Sequence, residues 1–476
     1  MRIIDVLNKN VFENFKKHPV EIVPLPNSGS RRLYFRILFY DRSIIAVYNK
    51  NIKENTAFIE FTKHFQKTGL NVPKILAYNL TENIYFLEDL GDDVFFKKVI
   101  EQQGTDQFSQ DIFNTYINVI DELIRFQIDA HKGFNYNHCY PIKEFSKKSI
   151  LWDLYFFKYY YLKLTLDLFE EEILQDEFER FANFLIKAEN NYFMYRDFQS
   201  RNILLKNNIP YFIDYQGGRK GPLQYDLASL LYQAKAKIPE EIKTKLLTYY
   251  LKQINEKKKI NNEDFIKYFD GFVLIRILQT IGAYGFRGFY EKKGHFISSL
   301  PLALKNSLYI IKKVQKHVQL PYLYKLLKKT ETVIPDINII ATNKFNVIIN
   351  SFSYKKTGIP VDYTEHGGGF VFDCRSLPNP YHEINLRHLT GKDQQIIDFM
   401  KNKPEVDTFI SSAYCIIEQS IKKYLDRGFN SLNISFGCTG GHHRSVYCTE
   451  KVGEMIKQKY NVIVKINHIE LDKENE

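Results

Sequence analysis

One short span constrains this chain more than any other. Tyr195–Arg196–Asp197–Phe198–Gln199–Ser200–Arg201–Asn202 is followed by Ile213–Asp214–Tyr215–Gln216. Leu204 and Leu205 suit a short strand, Tyr211–Ile213 suits its hairpin partner, and Asp214 stands where that partner ends. A loop, a strand, a turn and a second strand carry Asp197, Asn202 and Asp214 to one edge. Turn chemistry explains each residue alone. It does not explain their order, nor Gly217, Gly218, Gly221 and then Tyr225–Asp226–Leu227–Ala228–Ser229 behind them. The set suits phosphoryl transfer from ATP. One carboxylate takes the proton of an attacking hydroxyl, while an amide oxygen and a second carboxylate hold Mg²⁺ on the phosphates.

The chain has 476 residues, 44% of them apolar and 25% charged, which is globular but too long for one ordinary core. Residues 1–91 alternate apolar runs and turns. Leu33–Tyr40, Ile44–Tyr48 and Ile84–Glu88 read as strands, and Glu54–Lys67 places Phe58, Phe61 and Phe65 at helical spacing. Residues 92–325 read mostly as helix, 326–343 as a linker around Pro335–Asp336, and 344–476 as alternating strands and helices. Met1–Asn10 lacks the apolar core of a signal peptide. No run approaches the roughly 18 apolar residues of a membrane span. Five cysteines without a CxxC pair argue against a structural zinc and for a reducing, cytoplasmic setting. The formal charge of +11 suits ATP, sugar phosphates or RNA, and equally a lysine-rich solvated surface.

Pro24 to Leu320 resembles the aminoglycoside phosphotransferase-like kinases, and within them the kinases that phosphorylate N-acetylmuramate or N-acetylglucosamine at the anomeric hydroxyl in cell-wall recycling. The matching pieces are Ser30–Arg36, Val72–Ala77, Leu87–Gly91, the Asp197–Asn202 loop with Asp214, and Gly221–Leu231. The resemblance implies a bilobal α+β kinase-like domain, with 1–91 as the N-lobe and 92–325 as the helical C-lobe. It implies Asp197 as catalytic base, Asn202 and Asp214 as Mg²⁺ ligands, and Asp226 as the anchor of the catalytic loop. Nucleotide contacts are expected from Ser28, Gly29, Ser30, Arg31, Lys50, Glu60 and Glu88. Trp152, Asp153 and Arg287 fall where such kinases build the acceptor pocket; an aromatic beside a carboxylate can stack on a sugar and bind its hydroxyls. Trp152 could equally pack a core. Tyr195 replaces the histidine of many relatives, and Tyr215–Gln216 replaces the Phe–Gly of protein kinases.

In the last quarter Phe345–Asn350, Phe370–Cys374, Leu432–Phe436 and Val462–Ile466 read as strands, and Asp407–Arg427 and Val446–Lys459 as helices. Leu432–Phe436 runs into Gly437–Cys438–Thr439–Gly440–Gly441–His442–His443–Arg444. A strand, a small-residue loop and a helix start present backbone N–H groups to an anion, and Arg444 can grip phosphate. Cys438 and Arg444 also imitate a cysteine phosphatase loop, with Asp373 or Asp393 available as acid.

Phe345–Leu471 resembles the C-terminal domain of the RNase adaptor RapZ. Gly358–Pro360, Val371–Arg375, Leu377–Pro380, Leu389–Asp393 and Gly437–Tyr447 carry that likeness. It implies a smaller α/β domain binding an amino-sugar phosphate, with a pocket from Asp373, Arg375, Cys438, Gly440, Gly441, His443 and Arg444, and a role in RNA binding. Tyr381 stands where that family often has His, and the chain has no Walker A motif. The combined expectation is an ATP- and Mg-dependent amino-sugar kinase whose second domain binds a sugar phosphate or nucleotide sugar. The rivals are a non-enzymatic, nucleotide-gated RNA-binding regulator and a bifunctional kinase–phosphatase.

Overall fold

The computed structural model describes residues 3–26, 32–102, 108–166, 168–291, 294–297, 299–333, 345–360, 369–429 and 431–474. The chain divides into two compact units: Met1–Gly282 with Leu302–Val333, and Ala283–Pro301 with Ile334–Glu476. Among the described residues, no helix is long and apolar enough to cross a membrane.

The first unit opens with an antiparallel five-stranded sheet. Its strands are β1 (Glu21–Pro24), β2 (Leu33–Leu38), β3 (Ser43–Tyr48), β4 (Ile75–Asn79) and β5 (Ile84–Glu88), in the order β1-β2-β3-β5-β4. The expected strands are present. The helix Ile3–Phe15 and strands β1 and β4 are additional, and Leu7 and Val11 of that helix pack with Phe35, Ile37, Ile44 and Phe86 of the sheet. The helix Ile52–Lys67 starts at Asn51, whose side chain accepts from the backbone N–H of Glu54, and buries Phe58, Phe61 and Phe65.

Beyond Glu88 the unit is mostly helical, broken by two small ribbons. β6 (Tyr192–Met194) pairs with β9 (Arg219–Gly221), and β7 (Ile203–Lys206) pairs with β8 (Ile209–Phe212). The β7–β8 turn places Asn207 and Asn208 at positive φ (53° and 62°), the left-handed pair that a two-residue hairpin turn needs. This ribbon delivers Asp214 to the neighbourhood of Asn202, because Ile213 N–H donates to the Asn202 carbonyl at 3.0 Å. The helix Pro321–Val333 continues past residue 325, so regular structure extends into the expected linker.

The second unit is built on a parallel sheet in the order β11 (Gly369–Asp373), β12 (Ser431–Cys438), β10 (Asn346–Ser353), β13 (Ile463–His468). Every residue of β12 is buried, as a central parallel strand requires. Helices Pro404–Asp426 and Arg444–Lys459 contribute Val406, Ile417, Val452 and Ile456 to its core.

Candidate functional site

The loop Tyr195–Asn202 is suspended from a buried carboxylate. Asp226, wholly buried, accepts from the backbone N–H groups of Tyr195 (2.7 Å) and Arg196 (2.9 Å). Burial pushes its carboxyl up to about 7, against those two hydrogen bonds. Arg196 sits at φ 82°, a strained conformation for a side-chain-bearing residue. Its guanidinium is tied to Asp153 at 2.6 Å and lies over the rings of Phe145 and Tyr225.

Asp197 is then held with its side chain 40% exposed, accepting from Arg276 at 3.0 Å. Burial alone would raise its carboxyl. Arg276, then Arg196, Arg201 and Arg219, outweigh this and hold it below the ordinary carboxylate range. Asp197 is therefore an ionised carboxylate at neutral pH. The Asn202 amide donates to the Asp197 carbonyl at 2.8 Å. Asp214, also at positive φ (69°), accepts from Arg32 at 2.8 Å and from Gln216 at 3.0 Å through Oδ1. Tyr215 behind it is buried, stacked on Phe58 with centroids 5.0 Å apart, which fixes Asp214 against the helix Ile52–Lys67.

The residues expected to hold nucleotide fare differently. Ser28, Gly29, Ser30 and Arg31 lie outside the described residues. Lys50 is exposed, and Glu60 pairs with Lys63 at 2.8 Å on the surface of its helix. Neither joins the cluster. The cation that does is Arg32, 7% exposed, between Asp214 and Glu54 (3.7 Å) with Tyr34 at 3.0 Å. Leu33 lies opposite Tyr48 in the sheet, so Arg32 stands immediately before β2 and is buried, while Lys50 lies two residues beyond the end of β3 and is exposed. Glu88 ends β5 and binds Lys206 of β7 at 2.6 Å.

Trp152 and Asp153 have different surroundings. Successive helical residues diverge by about 100° around the axis. Trp152 is 65% exposed, beside Leu151, Tyr155 and Tyr159 in a surface groove, while Asp153 is buried against Arg196. Arg287 belongs to the second unit, where its guanidinium lies 5.0 Å above Phe296.

In the second unit the loop after β12 is drawn around buried groups. Cys438 is 3% exposed; its sulfur accepts from Gly441 N–H at 3.2 Å and lies 3.2 Å from the Ser445 hydroxyl. Gly441 has φ 79°, and a Cβ there would stand 2.3 Å from Glu470 Cγ, so only glycine fits. Gly440 is more open. Arg444 does not extend to solvent as an anion grip would. It is 6% exposed and donates to the carbonyls of Arg375 (2.9 Å) and Leu377 (3.1 Å) and to Thr439. Arg375 pairs with Asp373 at 2.6 Å and covers the Tyr354 ring. Among the described residues the buried Nε2 of His443 has no protein partner, and burial holds the imidazole below its usual range. Asp393 closes a turn on Thr390.

Residues 44–258 match the Phosphotransferase enzyme family and residues 345–472 match the RapZ C-terminal domain. The chain joins a phosphotransferase-family domain to a RapZ C-terminal domain. It is 38% identical over 121 residues to a nucleotide-binding protein of Pseudothermotoga lettingae, covering 25% of this chain and 41% of that one. It is 39% identical over 130 residues to another from Hahella chejuensis, covering 27% and 43%. The chain therefore spans less than half the length of these curated relatives. Among solved structures, a Plasmodium vivax ethanolamine kinase matches 64% of this chain and 85% of its own at 13% identity, TM-score 0.46. The choline kinase LicA of Streptococcus pneumoniae matches 66% and 99% at 13% identity, TM-score 0.40.

Proposed function

We propose that the first unit is a cytoplasmic kinase moving the γ-phosphoryl of ATP to a hydroxyl of an amino sugar such as N-acetylmuramate or N-acetylglucosamine. One observation carries this reading: Asn202 hydrogen-bonds Asp197 through its side chain and Ile213 through its carbonyl, so base, amide and second carboxylate share one edge. The acceptor oxygen attacks phosphorus, its proton passes to the ionised Asp197, and the bond to the ADP oxygen breaks with its electron pair. Asn202 Oδ1 and Asp214 Oδ2 are hard oxygen donors with no hydrogen bond from a protein group among the described residues, which fits magnesium. Bound on the phosphates, that ion would neutralise the charge that develops on them. Among the described residues no three His, Cys, Asp or Glu side chains converge as a metal cage. A nucleotide-borne ion needs only one or two protein ligands. Arg32 holds Asp214 in place, and Glu54 holds Arg32.

The second unit, on this proposal, binds a sugar phosphate or nucleotide sugar at the Gly437–Arg444 loop. Gly440 and the opening N–H groups of helix Arg444–Lys459 are the donors, while Arg444 shapes the loop from within.

The test is ADP release from Mg-ATP with N-acetylmuramate, N-acetylglucosamine and glucosamine as acceptors. Turnover is expected with at least one sugar and lost in Asp197→Ala. Unchanged turnover in that variant would remove the assigned role.

A further inference from the structure

The arginines gathered around Asp197 are not all neutralised. Arg196 has Asp153 and Arg276 has Asp197 itself, while Arg201 is exposed to solvent. Arg219 has none. It opens β9 opposite Met194, three residues before Asp197, and only 8% of it is exposed. Its Nε donates to the Gly217 carbonyl at 3.0 Å, and among the described residues no carboxylate lies within salt-bridge distance of it. A buried guanidinium stays charged, so leaving one uncompensated is unfavourable unless something anionic arrives. The shift of this group agrees: burial first, then the charge of Arg196, push it down to about 10. In the sheet it stands beside β6, the strand that leads directly into the Tyr195–Asn202 loop, and the carboxylates that act on its charge are Asp153 and Asp197. Arg219 is thus placed with the base, where the acceptor must come.

We propose that Arg219 receives an anionic group of the acceptor, so that the hydroxyl compound phosphorylated here carries a carboxylate or a phosphate. This rests on the kinase reading above and narrows its substrate class. A planar fork whose Nη groups hydrogen-bond no protein group among the described residues suits the two oxygens of such an anion. A cationic acceptor would meet a surplus of positive charge. The attacking hydroxyl and its proton go as before; the anion only positions the ring.

The experiment compares three acceptors on the full chain with Mg-ATP. N-acetylglucosamine is neutral, N-acetylmuramate adds a carboxylate, and N-acetylglucosamine 6-phosphate adds a phosphate. One of the two anions is expected to exceed the neutral sugar in kcat/KM by about ten- to a hundredfold, the scale of a charge-assisted hydrogen bond, and which of them does so identifies the group. Arg219→Gln should erase that margin by raising KM for the anion more than for the neutral sugar, with KM for ATP unchanged. Arg219→Lys should keep part of it. Preference for the neutral sugar, equal use of all three, or an equal fall in kcat/KM for every acceptor in Arg219→Gln would overturn the proposal while leaving the kinase reading intact. If no acceptor releases ADP, the kinase reading fails. Calorimetry of the ADP-loaded chain then decides this inference: anion-selective binding lost in Arg219→Gln sustains it, and no such binding ends it. Should Arg219→Gln not fold, the wild-type preference and the margin kept by Arg219→Lys decide it: an anion preference reduced in Arg219→Lys sustains it, and no preference ends it.

Discussion

In the loop Tyr195–Asn202 the charged side chains hold one another apart and keep two carboxylates accessible. Asp197 is 40% exposed and Asp214 34%, each steadied by a buried arginine. In the loop Gly437–Arg444 the cation is turned inward: Arg444 is buried and its donors end on carbonyls and a hydroxyl. The two loops share a strand-to-loop layout and an arginine, yet in one the arginines steady exposed carboxylates and in the other the arginine shapes the backbone. An arginine in a promising motif thus has two uses. The carbonyls or carboxylates within its reach decide which, since a guanidinium with five donors binds whatever acceptors the fold leaves bare.

The largest effect that can break this comparison lies at Asp197. Asp197→Ala is expected to lower ADP release by about 10²–10⁴-fold, the usual contribution of a positioned base, and Asp197→Asn, which keeps an acceptor for the buried Arg276, should do so with a smaller loss of melting temperature. A fully active variant would mean that the open loop is not the reacting one.

Next comes Gly441→Val. The added side chain meets Glu470 and must adopt φ 79°, so the second unit should lose at least about 2 kcal/mol. Limited proteolysis and urea unfolding would read this as earlier cleavage and an earlier transition. An unaltered transition would mean that the loop is not packed as tightly as the Cys438–Gly441–Glu470 contacts require.

These two positions also mark what the sequence makes legible. Asp197, Asn202 and Asp214 lie within one loop and one tight hairpin, so short connections leave few ways to separate them, and spacing alone brings them together. The strands β2, β3 and β5 and the Phe58–Phe61–Phe65 face are legible for the same reason: period and turn residues are local. Arg32 is not, because it meets Asp214 across 182 residues and no periodic pattern announces such a pair. Lys50 looks better placed only while the end of β3 is unknown. The inward turn of Arg444 is equally hidden, since its acceptors are the carbonyls of residues 67 and 69 positions away, and a carbonyl carries no sequence signature. Asp153 illustrates a third case: its chemistry suits a sugar hydroxyl, but Arg196, at a backbone angle fixed by Asp226, has the stronger claim on it.

A smaller effect sharpens the electrostatic half of the comparison. Arg276 is the chief cation opposing the burial of Asp197. Removing it in Arg276→Gln raises the Asp197 carboxyl, so less of the base is ionised at a given acidic pH. The acid limb of the kcat/KM profile should therefore move to higher pH, with a smaller change on the neutral plateau. A limb that stays in place would show that another group sets it.

The smallest expected effect separates two carboxylates on one helix. Glu60 and Glu54 both lie on Ile52–Lys67, but only Glu54 reaches the arginine that holds Asp214, at 3.7 Å, while Glu60 pairs with exposed Lys63. Exposed pairs contribute at most about 1 kcal/mol, so Glu60→Gln should leave both turnover and stability nearly as they were. Glu54→Gln releases Arg32 from one of its two carboxylates and weakens the Asn49 hydrogen bond to the same side chain. Asp214 is then held by a less constrained arginine, and the effect should appear as a several-fold rise in the magnesium concentration needed for half-maximal turnover, roughly what one charge-assisted contact is worth. If Glu60→Gln moved that magnesium requirement and Glu54→Gln did not, the pairing through Arg32 would be wrong, and the helix would present its other face to the nucleotide.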